Sequence, residues 1–383
     1  MPKVKSQTKN WQKAELGDFV VFNYGKGLPE RDRVDGPYPV YGSAGVVDTN
    51  KNYLIEGPGI IVGRKGSIGE IYYTDKNYFP IDTVYYITKS GKYNLRFLYY
   101  LLKTIDFKSL NSDAAVPGLN RNTAYAQEVL LPKTETQKQI ADVLSTYDDL
   151  IENNTKRIKI LEEIAQAIYK EWFVYFRFPG HEKVKMVDSK TEFGKIPEGW
   201  KIIKMGDIAD FMNGYAFKPK HLGSTGLPII KIPELRSGIL DKTPRNSGES
   251  IPKKYFIKTG DILFSWSATL LVNIWNSGEG LLNQHLFKVT PKESYLYSFV
   301  FYLLINQIEK YRAHAVGATM QHLRRNVVES ANVLLPDKDL LIKFEGIVSG
   351  ILKERSVLTI QNQNLRQARD LLLPKLVTGE IRV

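Results

Sequence analysis

The chain carries the same passage twice, in the same order. W-Q-K-A-E-L-G-D (11–18) returns as W-K-I-I-K-M-G-D (200–207), so that Trp11, Gly17 and Asp18 recur as Trp200, Gly206 and Asp207. P-G-L-N-R-N-T-A-Y-A-Q-E-V-L-L-P (117–132) returns as Q-H-L-R-R-N-V-V-E-S-A-N-V-L-L-P (321–336), pairing Leu119, Arg121, Asn122 and Pro132 with Leu323, Arg325, Asn326 and Pro336. A long helical stretch follows each copy. Repeated parts in a conserved order predict two copies of one globular architecture, and a molecule that meets its partner in two places.

The two blocks are separated by a change in residue usage. Residues 11–133 are rich in Gly, Pro and Tyr; I-I-V-G (60–63), E-I-Y-Y (70–73) and T-V-Y-Y-I-T (83–88) read as strands between glycine turns, and Leu95–Lys103 reads as a short helix. From Thr134 to about Phe176 there is neither Gly nor Pro. Ile140, Leu144, Tyr147, Ile151, Asn154, Ile158, Leu161, Ala165, Ile168 and Trp172 recur in alternating steps of four and three, the heptad period. The stretch predicts a helix of about 42 residues, or about 63 Å. Thr134 stands at the N-cap position with Gln137 three residues on, the pattern of a capping box. Asn154 interrupts the apolar stripe, either as a register-setting polar residue or as a solvated break.

The second block predicts strands at 228–232, 261–265 and 285–289 and a helix at Phe299–Ile305. A second helical stretch over 338–373 should stop at Pro374. Its stripe (Phe344, Ile347, Ile351, Leu358, Leu365, Ala368, Leu372) is weaker, with Arg355, Asn362 and Arg369 on possible seam positions. The expected fold class is α+β. Two mixed globular domains (1–133 and 198–336) alternate with two long helices (134–178 and 337–383, the latter including the tail), and a polar linker spans 179–197. The simplest arrangement pairs the helices as an antiparallel coiled coil about a pseudo-twofold axis.

Composition narrows the partner. Fifty-three basic against 41 acidic residues give a net charge of +12, which favours a polyanion, most often nucleic acid. The absence of cysteine excludes disulfides and Cys-based zinc sites or nucleophiles. No apolar run reaches the roughly 20 residues that span a bilayer, and the start Met1-Pro2-Lys3 lacks the apolar core of a signal peptide, so a cytoplasmic location is expected.

No catalytic motif stands out. A P-loop, H-E-x-x-H and the N-P-P-[YF] pocket of an amino-group methyltransferase are all missing. His181-Glu182 lies in the linker without a partner histidine and reads as a solvated pair. His221, His285, His314 and His322 lack ligand spacing. One rival pattern is present: Asp82, Asp106 and Lys108 are two acids and a lysine of the kind that hold Mg²⁺ in nucleases, although the second half has Gln284 in place of Asp82.

Two loop clusters suit DNA instead. Gly63-Arg64-Lys65-Gly66-Ser67-Ile68-Gly69 lies between predicted strands, where glycines let backbone approach a phosphate or base edge. Arg64, Lys65 and Ser67 offer donors to phosphate or guanine; the alternative is an ordinary basic hairpin. The matching stretch in the second half is Ser265, Trp266, Ser267, Ala268 and Thr269. The second cluster is Asn120, Arg121 and Asn122, matched by Arg324, Arg325 and Asn326 with Gln321 and His322 beside them; Asn and Gln suit adenine, Arg suits guanine. Lys26, Lys218 and Lys220 follow the Gly-Asp elements and are either phosphate contacts or solvated lysines. Positions that differ between the halves are the better candidates for reading sequence.

Taken together, W-x₄-L-G-D, P-V-Y-G-S-A-G (39–45), the G-R-K-G-S-I-G loop, V-L-L-P before each long helix, Q-K-Q-I-A-D-V-L-S-T-Y-D-D-L-I-E-N-N (137–154) and L-L-P-K-L-V-T-G-E-I (372–381) resemble the specificity subunit of type I restriction–modification systems over nearly the whole chain. The second block departs from the pattern in lacking Y-G-S-x-G. The resemblance implies a non-catalytic subunit whose globular domains each read one half of a bipartite asymmetric site in double-stranded DNA. Its helices would fix the spacer and dock two methyltransferase subunits, with restriction–translocase subunits joining through the complex. No cofactor would bind directly; S-adenosylmethionine, ATP and Mg²⁺ would belong to the partner subunits. The rivals are a DNA-binding or scaffold protein of a standalone system and the Mg²⁺-dependent nuclease above.

Overall fold

A computed structural model describes residues 11–89, 93–110, 118–315 and 323–383. The chain divides into two compact units. Unit 1 comprises Met1–Glu152 with Asn364–Val383, and unit 2 comprises Asn153–Gln363. Each therefore holds one globular block plus a segment of both long helices.

Unit 1 is closed by its own ends. The strand Gln12–Glu15 pairs antiparallel with Glu128–Leu131, Gln12 opposite Leu131. The L-G-D turn follows: the Leu16 amide donates to the Gln127 carbonyl at 3.0 Å, and Asp18 folds back so that its carboxylate accepts from the Glu15 amide at 2.9 Å. Asn23–Tyr24, Val84–Thr88, Gly59–Gly63 and Ile71–Thr74 form a four-stranded sheet in that order, every pairing antiparallel. Beside it lie Gly45–Asn50, Tyr38–Gly42 and Phe79–Pro80, the last pair parallel. The short helix spans Leu95–Lys103, as its period predicts, and Asn94 caps it by accepting from the Phe97 amide.

Unit 2 repeats the plan. Lys201–Lys204 pairs with Asn332–Leu335, Lys201 opposite Leu335. The Met205 amide donates to the Ala331 carbonyl at 2.9 Å, and Asp207 accepts from the Lys204 amide at 2.9 Å. The repeated Gly-Asp is thus a local backbone device shared by both units. The four-stranded order is Ala209–Asn213, Leu286–Pro291, Ile262–Ser265 and Leu271–Ile274, again all antiparallel. A second sheet holds Arg245–Asn246, Leu227–Ile230, Gly280–Leu282 and Phe256–Ile257, with one parallel pair.

Several details differ from the sequence reading. Strand 228–232 ends at Ile230, and a short helix begins at Ile232. The helix expected at 299–305 runs from Tyr297 to Ala315. The linker contains a hairpin, Met186–Asp188 against Lys195–Pro197. The first long helix is α-helical over Thr134–Tyr169 and widens into a π-turn over Lys170–Val174, where Trp172 and Phe173 are buried. Its start is not secured by the expected capping box. Gln137 is buried, and its amide donates to the Pro132 carbonyl at 3.0 Å and accepts from the Asn94 amide at 3.1 Å, tying the helix start to the block before it.

The second long helix spans Lys338–Val377 and runs through Pro374. A proline removes one amide and clashes with the preceding turn. Here the last turn is held by packing: Leu373, Leu376 and Val377 are buried in unit 1 with Ile140, Ala141 and Leu144. The Pro374 carbonyl also accepts from both the amide and the hydroxyl of Thr378. The buried stripe in unit 2 is Phe344, Val348 and Leu352, whereas Ile347, expected on it, is 47% exposed.

The polar seam residues are buried and paired. In unit 2, Asn154 is 6% exposed and its amide lies 3.5 Å from the Gln361 carbonyl oxygen, which rules out a solvated break. Asn362 donates to Thr155 at 3.2 Å, Arg157 to Glu354 at 2.7 Å, and Arg355 to both Glu162 (2.6 Å) and Asn273 (2.9 Å). In unit 1, Asp148 accepts from Arg369 and from the Tyr100 hydroxyl.

Asp148 and Arg369 are only 20% and 15% exposed, so removing one leaves a nearly buried charge. Arg369→Ala should cost about 2–4 kcal/mol in urea unfolding, somewhat below the full cost of breaking a buried pair because both groups retain some solvent. Asp148→Asn added to that background should recover part of the loss; no recovery would mean that packing, not charge, holds this contact.

Candidate nucleic-acid interface

The two sequence clusters of unit 1 form one surface. The Arg64 carbonyl accepts from the Leu119 amide at 2.9 Å, and Lys65 bridges to Gly118, which docks the Arg64–Ser67 loop beside the helix that opens at Asn120. Tyr24, missed by the sequence reading, is the platform between them. It is 51% exposed, and the Arg64 and Arg121 guanidinium carbons each lie 5.2 Å from its ring centroid. Tyr85 and Tyr125 flank it, at 5.8 Å from Arg64 and 5.9 Å from Arg121. Such cation–aromatic stacking contributes about 0.5–1 kcal/mol at exposed sites and fixes the plane of each guanidinium.

Tyr85 serves this arrangement from below. Burial, reinforced by its contact with Tyr24, pushes its hydroxyl up to about 12, so it stays protonated and donates to the Leu119 carbonyl at 3.0 Å. Arg64 donates to the Asp82 carbonyl at 2.8 Å. Lys26, Lys65 and Ser67 are exposed around this surface, as is Asn122. Asn120 does less than expected, because its side-chain oxygen is taken up in capping the helix, accepting from the amides of Asn122 (2.8 Å) and Thr123 (3.3 Å).

In unit 2 the equivalent loop is filled differently. Ser265 and Ser267, expected to face DNA, are buried at 0% and 4% exposure. The Ser265 hydroxyl binds the Ser267 and Thr269 carbonyls, and Ser267 meets His285 Nδ1 at 3.1 Å, so both hold the loop together from inside. Thr269 is half-buried. Trp266 remains partly exposed, its indole N–H donating to the Gln284 carbonyl at 3.0 Å. Arg324, Arg325 and Asn326 are exposed; Arg325 pairs with Glu329 at 2.7 Å. Gln321 and His322 lie outside the described residues. Lys218 and Lys220 are exposed beside an aromatic group of Tyr215, Phe217, His221 and Tyr255, with Tyr215 and Phe217 centroids 5.0 Å apart. Basic residues interleaved with rings suit a nucleic-acid surface.

Two of the three side chains of the nuclease-like pattern, Lys108 and Asp106, are otherwise engaged. Lys108 pairs with Glu70 at 2.6 Å, which raises its pKa, and Asp106 accepts from the Ser109 amide within its own loop. Asp82 contributes its backbone carbonyl to Arg64. Among the described residues no group of three or more His, Asp or Glu side chains is placed to hold a metal ion. Also among them, no helix is long and apolar enough to cross a membrane.

The family profile described as "Type I restriction modification DNA specificity domain" matches residues 8–163 and again 197–340. The chain belongs to the type I restriction–modification specificity subunits. It is 30% identical over 305 residues to the type I restriction enzyme MjaIX specificity subunit of Methanocaldococcus jannaschii, covering 75% of this chain and 69% of that one. It is 25% identical over 407 residues to the MjaVIII specificity subunit of the same organism, covering 98% and 94%. In fold it resembles the crystal structure of the type I system S subunit of M. genitalium, with a TM-score of 0.65 at 18% identity over 98% of each chain. This specificity subunit therefore has mixed helix and sheet content in two copies of one domain type.

Gly63 and Ser265 occupy the same loop position with opposite tolerances. A Cβ on Gly63 would stand 2.1 Å from the Ser67 carbonyl oxygen, whereas the unit 2 loop accommodates a serine side chain there. Gly63→Ala should destabilise unit 1 by about 1–3 kcal/mol through overpacking, read as a lowered thermal midpoint. Ser265→Gly should cost less, since it removes bonds without creating a clash. Equal losses would contradict the loop geometry.

Proposed function

We propose that this subunit carries no catalysis of its own and gives a methyltransferase–endonuclease complex its DNA sequence preference. Unit 1 meets one half of a bipartite asymmetric site through Lys26, Arg64, Lys65, Ser67, Arg121 and Asn122. Unit 2 meets the other through Trp266, Lys218, Lys220 and Arg324–Asn326. The observation that carries this reading is the duplicated surface on a duplicated frame: both copies keep the closing ladder and the Gly-Asp turn, and both expose basic and aromatic side chains from the same loops. Partly desolvated guanidiniums held flat on tyrosine suit groove-edge and phosphate contacts alike.

The two long helices pair as an antiparallel coiled coil, with the blocks related by a pseudo-twofold axis, and set the unread spacer between half-sites. The polar seam supports this reading, since Asn154, Arg355, Asn362 and Arg369 each bond a specific partner, which resists sliding. Two methyltransferase subunits would dock on this frame, with restriction–translocase subunits joining through the complex in the cytoplasm. S-adenosylmethionine, ATP and Mg²⁺ would reside on those partners.

DNA affinity should fall linearly in log K against log salt, with a slope of about −0.9 for each phosphate neutralised; a flat dependence would favour a scaffold whose charge serves solubility. Inserting one heptad into Thr134–Tyr169 and a matching one into Lys338–Val377 should lengthen the preferred spacer by about three base pairs, since seven helical residues rise about 10 Å. An unchanged spacer would refute the ruler. Magnesium-dependent cleavage by the isolated chain, lost in Asp82→Ala, would instead establish the nuclease.

A further inference from the structure

Arg64 and Trp266 occupy one position of the repeated fold, fixed by four matched contacts. The Arg64 amide donates to the Thr83 carbonyl at 2.9 Å, and the Trp266 amide to the His285 carbonyl at 3.4 Å. The Arg64 carbonyl accepts from Leu119 and the Trp266 carbonyl from Leu323, both at 2.9 Å. Each side chain lies over the ring at the same strand position: Arg64 over Tyr85 at 5.8 Å and Trp266 over Phe287 at 5.9 Å, where Tyr85 pairs with Val62 and Phe287 with Phe264. Each then gives an N–H to the corresponding carbonyl, Arg64 to Asp82 at 2.8 Å and Trp266 to Gln284 at 3.0 Å.

The same place therefore has opposite chemistry. Indole has one N–H donor, and the Gln284 carbonyl takes it, so Trp266 offers a base only an apolar surface. A guanidinium has five, and Arg64 commits one to Asp82. Its Nε is buried without a partner, and among the described residues Nη1 and the second hydrogen of Nη2 have no protein acceptor. The neighbouring arginines diverge in the same sense. Arg325 is neutralised by Glu329, whereas the residue four positions after Arg121 is Tyr125, and Arg121 retains its charge beside Arg64 on the Tyr24 ring. Spare paired donors of positive charge match the two acceptors, O6 and N7, that guanine alone presents in the major groove; an apolar plane matches the thymine methyl or no base edge in particular.

We infer that Arg64 is a specificity-determining residue that demands a guanine in the half-site read by unit 1, and that Trp266 removes that demand from the same point of unit 2. This rests on the reading of the chain as a DNA-recognition subunit.

The test uses the subunit assembled with its methyltransferase partner. Its recognition motif is first defined by selection from random duplexes, and binding is then measured on that site with each guanine replaced singly by 7-deazaguanine, which lacks the N7 acceptor. One guanine of one half-site should be sensitive, the wild-type complex losing about 5- to 150-fold in affinity, the range of one bidentate base contact. The Arg64→Ala complex should accept any base at that position, lose nothing further from the analogue and keep its preference everywhere else. Trp266→Phe should leave that position's guanine preference intact. Equal weakening of Arg64→Ala on all sequences with a reduced salt slope would overturn the proposal, because Arg64 would then be a phosphate contact. So would a pair of half-sites with no analogue-sensitive guanine. Selection that returns no motif for the wild-type complex would instead refute the underlying reading of the chain as a DNA-recognition subunit.

Discussion

Each unit depends on the antiparallel ladder that joins the strand entering a block to the strand leaving it, Gln12–Glu15 to Glu128–Leu131 and Lys201–Lys204 to Asn332–Leu335. Closing so long a loop is entropically costly, and the ladder offsets that cost with backbone hydrogen bonds and a buried leucine at its end in unit 1. It also decides where the chain goes next. Leu131 and Leu335 are each followed by a proline and then by the start of a long helix, so the ladder aims the helix. The Gly-Asp turn locks the entering strand in the same way in both copies, and the glycine is closely packed in each. A Cβ on Gly17 would lie 3.0 Å from Tyr125, and one on Gly206 would lie 3.3 Å from Glu329.

This explains which parts were legible in the sequence. The frame was readable because its signals are local or periodic: the repeated W-x₄-[LM]-G-D, the heptad steps from Ile140 to Trp172, and the caps and glycine turns around Leu95–Lys103. Arg64 and Arg121 stand in separate clusters along the chain, and nothing in sequence spacing shows that Tyr24, far from both, joins them. Its only local signal is an exposed aromatic next to a glycine and a lysine. The burial of Ser265 and Ser267 was equally hidden, because a serine that reads as a donor to DNA and one that closes a loop are the same residue in sequence. Pro374 misled for a physical reason as well: packing of Leu373, Leu376 and Val377 carries the helix past a residue that would break it in isolation.

Repetition of the frame with divergence of its loops has a physical basis. The four-stranded sheet and its register are set by buried side chains, which tolerate little change, whereas residues at the loop apex bear on stability only through a few carbonyl contacts. Arg64 and Trp266 satisfy the same carbonyl and rest on the same ring position, so either folds. A scaffold of this kind can change what it reads without changing how it stands.

On the proposed function, one frame presents two different readers. Sequencing the modified bases in the DNA of cells that carry this chain with its methyltransferase partner tests it most directly. The expected result is a bipartite motif whose two halves differ in sequence and are separated by a gap of constant length. A single uninterrupted motif, a motif with identical inverted halves, or a gap of variable length would contradict it.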